Sequence, residues 1–233
     1  MKNLYVGTSG YSYKEWKGSF YPEKLPAKAM LPYYAERLQA VELNNTFYRM
    51  PQPSMVESWK AQVPESFRFS VKASQRITHF KRLNEASEET RLMVDTVSAL
   101  EDRLGVILFQ LPPNMKKDLQ RLESFLVQLP AEVPATFEFR HPTWFDDEVL
   151  ALLGKHNRAL CVSDTDDLPV NQIDKTADWG YLRLRRVNYD EADLKHWIKK
   201  IKAQKWKNTF VFFKHEDEGT GPKLAAQFLK LAK

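Results

Sequence analysis

Eight short apolar segments recur along the chain, and each except the sixth is followed by a helical pattern before the next begins. Apolar and polar residues alternate in most of these segments, as they do in a half-buried strand. The predicted strands are 4–8, 40–47, 68–73, 105–111, 135–141, 159–164, 180–185 and 209–216. The predicted helices are 27–38, 55–62, 87–103, 118–129, 146–156, 191–204 and 222–232. This alternation favours a parallel sheet, and eight units predict an α/β fold, a TIM (β/α)8-type barrel of eight parallel strands with outer helices.

A doubly wound open sheet is the competing fold for such an alternation. A nucleotide-binding version would carry G-x-G-x-x-G in its first turn, whereas this chain has Gly7-Thr8-Ser9-Gly10. Its strands would also be continuously apolar, and these strands carry charges in their interiors. No linker or low-complexity segment interrupts the 233 residues. We therefore favour the barrel and expect a single domain over residues 1–233.

Helix start signals agree with these segments. Ser54, Asp146 and Asp190 precede helical patterns and are predicted N-caps, because their side chains can accept from the first backbone N–H groups. Pro222 falls in a first helical turn, where proline is tolerated.

Composition narrows the class of protein. No apolar run approaches the roughly 20 residues that a bilayer crossing needs, and residues 1–7 hold no apolar stretch of signal-peptide length. The single cysteine, Cys161, excludes an intramolecular disulfide framework and suits a reducing compartment. We therefore expect a cytoplasmic protein with no membrane partner. The net charge of +5 favours anionic ligands weakly.

Charged side chains cluster on one face of the predicted strands, towards their carboxyl ends. In a barrel the apolar face of each strand meets the helices, so the charged face points inward, towards the carboxyl-terminal end of the barrel, here called the mouth. The inward positions are Glu42, Asn44, Lys72, Gln110, Glu138, Arg140, Arg183, Arg185, Lys214 and Glu216. Five cations face three acids, or four acids if Asp164 also points inward. A mildly cationic mouth predicts a polar ligand with negative charge.

A purely structural interpretation of these charges stays open. Glu138 could pair with Lys72 or Arg183 and replace part of the apolar filling of the barrel. Buried ion pairs are weak evidence for stability, because desolvation costs several kcal/mol per ion. We therefore favour a ligand site at the mouth over a self-satisfied network.

Several blocks of the sequence resemble one known family. The blocks are GTSGYSYKEWKG (7–18), FYP (20–22), VELNNTFY (41–48), FRFSVK (67–72), TH (78–79), LFQLPP (108–113) and EFRHPTW (138–144). In this order they are similar to the YecE-like proteins, a family of TIM-barrel domains of unknown function, and the similarity runs from residue 7 to about residue 164. The resemblance implies a barrel and supplies no established catalytic residues.

The last quarter of the chain departs from the commoner pattern of that family. Many members have a His-Gly pair after the arginine of the seventh strand, where this chain has Leu184-Arg185-Arg186. They often carry an Asn-rich run in the eighth strand, where this chain has Phe213-Lys214-His215-Glu216. The resemblance therefore implies a subgroup with a divergent C-terminal quarter.

The leading functional hypothesis is an enzyme acting on a small polar anionic substrate, phosphorylated or sugar-like. Glu42 and Glu138 are the candidate acid and base, and Lys72 is a candidate electrophile or Schiff-base lysine. The predicted substrate-binding residues are Asn44, Gln110, Arg140, His141, Trp144, Arg183, Arg185 and Lys214. The arginines among them would hold the anion, since a guanidinium offers a bidentate fork.

Two other classes of function remain open, and the sequence alone does not decide whether the protein is an enzyme. One is metal-dependent processing or binding of nucleic acid, and the other is a barrel that binds a ligand without turnover. A divalent metal has potential ligands in Glu42, Glu138, Asp164, Glu216, His79, His141 and His215. No H-E-x-x-H or paired-cysteine spacing supports it, so no metal ligand is assigned. Any cofactor and the oligomeric state stay undetermined.

The first loop is unusually aromatic, with Tyr11, Tyr13, Trp16, Phe20 and Tyr21 within eleven residues. Aromatic faces at the mouth could stack on a sugar or a base. The preferred interpretation is a small core of the loop's own against neighbouring helices.

Overall fold

Eight parallel strands close into a barrel in the computed structural model, which describes residues 3–167 and 172–233. The strands are β1 (Asn3–Ser9), β2 (Ala40–Leu43), β3 (Arg68–Lys72), β4 (Leu104–Gln110), β5 (Ala135–Glu138), β6 (Ala159–Asp164), β7 (Gly180–Leu184) and β8 (Asn208–Phe213). Each strand pairs with the next in sequence, and β8 closes the ring against β1, with Val6 opposite Val211. The predicted TIM-type barrel is confirmed.

Eight α-helices surround or cap the strands in the described part of the chain. They are α1 (Met30–Ala35), α2 (Asn45–Tyr48), α3 (Pro53–Ala61), α4 (Ser87–Ser98), α5 (Leu119–Gln128), α6 (Asp147–Lys155), α7 (Glu191–Gln204) and α8 (Thr220–Ala232). Shorter 3-10 turns lie at Lys14–Trp16, Ala27–Ala29, Glu101–Arg103 and Pro142–Trp144, and a π-helical turn at Arg76–Phe80. None of the helices within the described ranges is long and apolar enough to span a membrane.

Two of the three predicted N-caps are confirmed. Asp146 accepts from Val149 N at 3.0 Å. Asp190 accepts from Asp193 N at 2.8 Å, and the Asp193 carboxylate accepts in return from Asp190 N, which completes a capping box. Ser54 is not an N-cap, because α3 begins one residue earlier at Pro53, a first-turn position that suits a residue without an N–H.

Three predicted strands end three or four residues earlier than the sequence pattern indicates. The segment 40–47 leaves the sheet after Leu43, and α2 follows at Asn45–Tyr48. The segment 135–141 ends at Glu138, and 209–216 ends at Phe213. Arg140, Lys214 and Glu216 therefore lie beyond the strands.

Two apolar clusters fill the structure. The larger lies between the outer faces of the strands and the helices and includes Val41, Phe69, Phe109 and Phe137. The smaller fills the barrel with inward residues of β2, β4, β6, β7 and β8 and with two residues that precede β7, and its members are Ala40, Val106, Leu108, Ala159, Cys161, Ala177, Trp179, Tyr181, Phe210 and Phe212. The barrel interior is therefore packed with apolar side chains below the mouth, as is usual for this fold.

The aromatic loop after β1 packs into a small core of its own. Trp16 and Tyr21 are fully buried, and their ring centroids lie 6.1 Å apart. Phe20 makes edge contacts to Tyr33 and Tyr34 of α1 at 5.9 and 6.0 Å. The interpretation as a packed loop agrees with these contacts.

Candidate functional site

Glu42, at the end of β2, is completely buried and receives hydrogen bonds from several strands. Ser9 Oγ donates to its Oε1 at 2.7 Å and Asn44 Nδ2 to the same oxygen at 3.2 Å. Tyr181 OH, from β7, donates to Oε2 at 2.6 Å. Tyr181 in turn shares a hydrogen bond of 2.7 Å with Ser70 of β3. These contacts tie four strands together at the base of the mouth.

Arg183 of β7 bridges two carboxylates across the barrel. Its Nη2 lies 2.9 Å from Glu42 Oε1, and its Nη1 donates to Glu138 Oε2 at the end of β5. All three side chains are almost fully buried. We call Glu42, Arg183 and Glu138 the buried ion triad. Arg183 is predicted to hold a ligand, but both of its terminal nitrogens bind the protein's own carboxylates.

Two further arginines contact Glu138 from the solvent side of the buried ion triad. Arg140 Nε donates to Glu138 Oε1 at 3.1 Å, and its Nη2 donates to Gln110 Oε1 at 3.1 Å. Arg185 Nη1 lies 3.6 Å from the same Glu138 oxygen. The side chains of Arg140 and Arg185 are 34% and 18% exposed. Glu138 therefore positions both guanidinium groups from the barrel interior, and both groups are accessible at the mouth.

The charges of the buried ion triad hold its carboxylates ionised. Burial alone would raise the pKa of Glu138, but Arg183, Arg140 and Arg185 outweigh it and lower that pKa to about 2. Burial likewise opposes ionisation of Glu42, and Arg183 together with Tyr181 lowers its pKa. Burial would lower the pKa of Arg183, but Glu138 and Glu42 raise it well above the ordinary value. All three groups are charged at neutral pH.

Lys72, at the end of β3, differs from the other cations of the mouth. Its Nζ lies 4.2 Å from the centroid of the Phe47 ring, and it makes no hydrogen bond or ion pair with any residue that the structure describes. Burial and then the charge of Arg183 lower its pKa to about 8. Lys72 is thus a half-buried amine that can lose its proton near neutral pH.

Phe47 and His79 lie beside Lys72 at the mouth, although the sequence offered His79 only as a potential metal ligand and gave Phe47 no functional role. The His79 ring meets the Phe47 ring edge-on at 4.9 Å, and its Nδ1 shares a hydrogen bond of 2.9 Å with Thr78 Oγ1. Burial, with Lys72 and Arg140 next in size, lowers the pKa of His79. His79 lies on the π-helical turn, a distortion frequent at functional sites. Tyr181 is also absent from the predicted site residues, although it precedes Arg183 by two positions and so shares its inward face.

The other predicted binding residues are spread more widely. Asn44 is half-buried, and its Oδ1 is a buried acceptor without a hydrogen-bond partner in the described structure. Lys214 lies at the mouth, with Nζ 3.8 Å from Glu216 Oε1. His141 accepts from Thr143 N at 3.3 Å and so caps the Pro142–Trp144 turn.

Trp144 has a packing role instead of the predicted place at the mouth. Its ring stacks on Phe139 with centroids 4.5 Å apart, and its Nε1 donates to Met115 O at 2.7 Å. The side chain is 1% exposed. Phe139 points away from the barrel interior because it follows the inward Glu138 by one position. Trp144 stacks on Phe139 and therefore also lies in the larger apolar cluster.

Asp164, the last residue of β6, accepts hydrogen bonds from residues that follow β7. Its Oδ2 accepts from Arg186 Nε at 3.0 Å and from Tyr189 OH at 2.9 Å. Among the described residues, four cations, Lys72, Arg140, Arg183 and Arg185, lie around the two carboxylates of the buried ion triad. The net charge is +2 before the neutral Lys214–Glu216 pair is added.

The acidic and histidine side chains do not converge on one point. In residues 3–167 and 172–233 there is no group of three or more His, Cys, Asp or Glu side chains arranged to hold a metal ion.

A family model described as "Protein of unknown function DUF72" matches residues 5–233. The match includes the C-terminal quarter, so the family similarity extends beyond the blocks that end near residue 164.

Two curated relatives are also of unassigned function. The UPF0759 protein YecE of Escherichia coli (strain K12) is 30% identical over 172 residues, which are 72% of this chain and 61% of the relative. The chain thus matches about three fifths of the length of that relative. The UPF0759 protein YunF of Bacillus subtilis (strain 168) is 23% identical, and the alignment covers 98% of this chain and 94% of YunF.

A solved structure supports the barrel. The crystal structure of a DUF72 family protein from Thermotoga maritima superposes with a TM-score of 0.85 at 28% sequence identity. The superposition covers 98% of each chain. The arrangement of strands and helices is therefore common to both proteins.

Proposed function

The chain belongs to the DUF72 family of proteins of unknown function, and from the chemistry of its barrel mouth we propose that it is an enzyme acting on a small polar anionic substrate, phosphorylated or sugar-like. One observation carries the proposal. Arg140 and Arg185 are both anchored on Glu138, and both remain partly exposed. An arginine pair fixed in this way is a ready receptor for a phosphate or carboxylate group.

The donors of the two arginines support this role. A guanidinium carries five N–H donors. Arg140 donates through Nε and Nη2, and Arg185 has only the 3.6 Å ion pair to Glu138 among the side chains that the structure describes. Several donors therefore stay available to a ligand. Because Glu138 already orients both groups, an incoming anion needs to order little more of the protein.

Glu42, Glu138 and Lys72 have different roles in the proposed enzyme. A general base works best when its pKa lies near the working pH. With a pKa of about 2, Glu138 is a weak base and is better suited to positioning the arginines. Glu42 is held ionised in the same way and positions Arg183. Lys72 has a pKa of about 8 and contributes the reactive group.

Calorimetric titration of the protein with inorganic phosphate and with glucose 6-phosphate tests the anion site. Arg140→Gln and Arg185→Gln should each weaken binding about tenfold or more, as expected for loss of a charged hydrogen bond. Arg121→Gln is a matched control, since Arg121 is 35% exposed and its Nε lies 3.1 Å from Asp118 on the outer helix α5. Equal affinities in all four proteins, or no binding at low salt, would contradict the site.

Turnover is the second part of the test. A panel of phosphorylated sugars and their unphosphorylated counterparts should reveal conversion only of the anionic members. Conversion should fall in Arg140→Gln and stay unchanged in Arg121→Gln. A protein that binds short single-stranded DNA more tightly than any small phosphate at the same arginines would instead belong to the nucleic-acid class.

A further inference from the structure

Lys72 differs from three other half-buried lysines because no carboxylate in the described structure is paired with it. Lys60, whose side chain is 21% exposed, pairs with Glu101 at 2.6 Å. Lys81 pairs with Glu89 at 2.8 Å, and Lys117 with Glu148 at 3.0 Å. Lys72 is close enough to feel the charges of Glu42 and Glu138, yet it pairs with neither in the described structure. Its amine is therefore available for another partner.

The carboxylates near Lys72 are occupied by other donors. Glu42 accepts from Ser9, Tyr181 and Arg183, and Glu138 accepts from Arg183 and Arg140. A lysine that served only to balance these charges would be expected to contact one of them. The arginines already do so, and they leave the amine of Lys72 facing Phe47.

The surroundings hold Lys72 in place through its backbone. Thr46 Oγ1 lies 2.7 Å from Lys72 O and 3.0 Å from Leu43 O, so its single proton is shared between two carbonyls and links α2 to the ends of β2 and β3. Phe47 follows Thr46 and places its ring 4.2 Å from Lys72 Nζ. The aromatic face is an apolar wall on one side of the amine, and Arg140 lies among the charges that act on it from the mouth.

We propose that Lys72 is a nucleophile that forms an imine with an aldehyde or ketone group of the anionic substrate, while Arg140 and Arg185 hold the substrate's phosphate or carboxylate. The inference rests on the proposed anion site and specifies its substrate class as anionic carbonyl compounds. Lys72 is the group that touches the reacting carbon, and the two arginines are binding residues.

The step balances without any co-reactant. The ammonium of Lys72 first loses one proton to solvent. Its nitrogen lone pair then attacks the carbonyl carbon, and the carbonyl π electrons move to oxygen, which takes up a proton to give a carbinolamine. Loss of the second nitrogen proton and of the protonated hydroxyl as water leaves a carbon–nitrogen double bond. No atom changes oxidation state, because the carbon exchanges a double bond to oxygen for a double bond to nitrogen.

The pKa of about 8 makes this step feasible near neutral pH. About one Lys72 in ten is uncharged at pH 7, whereas an ordinary lysine, with a pKa near 10.4, is uncharged in only about one of a few thousand molecules. A less basic amine is also a weaker nucleophile, so we expect a net advantage of about tenfold in rate over the other lysines.

Reductive trapping of the wild-type protein tests the inference. The protein is incubated at pH 7 with glycolaldehyde phosphate and sodium cyanoborohydride, which converts an imine into a stable secondary amine, and peptide mass spectrometry locates the product. Lys72 should be modified about ten times faster than Lys60, the matched lysine on α3, and its rate should rise through pH 8. Modification of Lys72 no faster than of Lys60 would overturn the proposal.

A neutral probe distinguishes the contribution of the substrate's anionic group from the reactivity of Lys72 itself. Glycolaldehyde, which lacks the phosphate, should modify Lys72 more slowly than glycolaldehyde phosphate does, and Arg140→Gln with Arg185→Gln should remove that difference. If calorimetry detects phosphate binding but Lys72 is inert, the imine is wrong and the anion site stands. If Lys72 reacts rapidly but equally with both probes, the nucleophile stands and the anion site is wrong.

Discussion

Arg183 Nη2 donates to Glu42 Oε1 at 2.9 Å, and both side chains are removed from solvent inside the barrel. The two residues lie 141 positions apart in sequence, so only closure of the barrel brings them together. A third member, Glu138, accepts from the other nitrogen of the same guanidinium. Arg183 thus neutralises half of the charge of the two carboxylates, and Arg140, Arg185 and Lys72 make the charge of the pocket above positive.

Removing Arg183 should destabilise the protein strongly. Arg183→Met leaves the carboxylates of Glu42 and Glu138 buried without their main partner, and we expect the free energy of unfolding to fall by about 3–5 kcal/mol. Urea unfolding followed by circular dichroism measures the change. Arg37→Met is the control, because its pair with Glu36 is exposed and should contribute less than about 1 kcal/mol. A loss below about 1 kcal/mol in Arg183→Met would refute the energetic role of the buried ion triad.

Removing the hydroxyl of Tyr181 should cost less, but measurably. Tyr181→Phe keeps the ring and deletes the 2.6 Å hydrogen bond to Glu42, so we expect a loss of about 1.5–3 kcal/mol of unfolding free energy. Tyr48→Phe is the control, since Tyr48 is 75% exposed and the change should lie within about 0.5 kcal/mol. Equal stabilities for the two variants would contradict a hydrogen-bonding role for Tyr181.

Acid should lower the free energy of unfolding, and protonation of Glu138 should account for part of that loss. Its pKa in the folded state, about 2, lies below the ordinary value of 4.5. The corresponding stabilisation is fully present above pH 4.5 and is lost as the pH falls towards 2, with a size of about 3 kcal/mol. Chemical unfolding at a series of pH values should give a steeper acid loss for the wild type than for Glu138→Gln. The control Glu123→Gln, at an exposed pair, should follow the wild type, and parallel curves for all three proteins would contradict the assignment.

The barrel and its inward charges were predictable because strand periodicity is local. Glu42, Glu138 and Arg183 alternate with apolar neighbours, and that alternation is sufficient to place them on the inner face once eight units close. Asp190 was equally predictable, since a capping residue acts within one helical turn. These features depend on residues a few positions apart, which a single sequence displays directly.

The partners within the site were harder to infer because they depend on closure and on loop conformation. Glu138 had both Lys72 and Arg183 as candidate partners, and only the register of β5 and β7 across the barrel selects Arg183. Phe47 was expected in a strand, whereas the chain turns into α2 there and presents its ring to Lys72. Trp144 was expected at the mouth, but its orientation follows from stacking on Phe139, a contact outside any periodic pattern.

Lys72 should lower the free energy of unfolding at neutral pH, as expected for a residue whose role is chemical and not structural. Its pKa is about 8 in the folded state and 10.5 in the unfolded chain, so between these values the unfolded state binds more protons. Stability therefore rises as the pH increases from 8 to 10.5, and below pH 8 the buried ammonium carries its full cost. Lys72→Met removes that cost, and we expect it to raise the unfolding free energy at pH 7 by about 1–3 kcal/mol.

Urea unfolding at pH 7, 9 and 10.5 isolates this effect as the difference in unfolding free energy between Lys72→Met and the wild type. The difference should shrink as the pH rises, because the wild-type lysine becomes neutral in both states. Lys60→Met, which loses a surface pair with Glu101, should differ from the wild type by at most about 1 kcal/mol. If Lys72→Met is less stable than the wild type at pH 7, the ammonium is stabilised by its surroundings, and Lys72 then loses the feature that makes it a nucleophile.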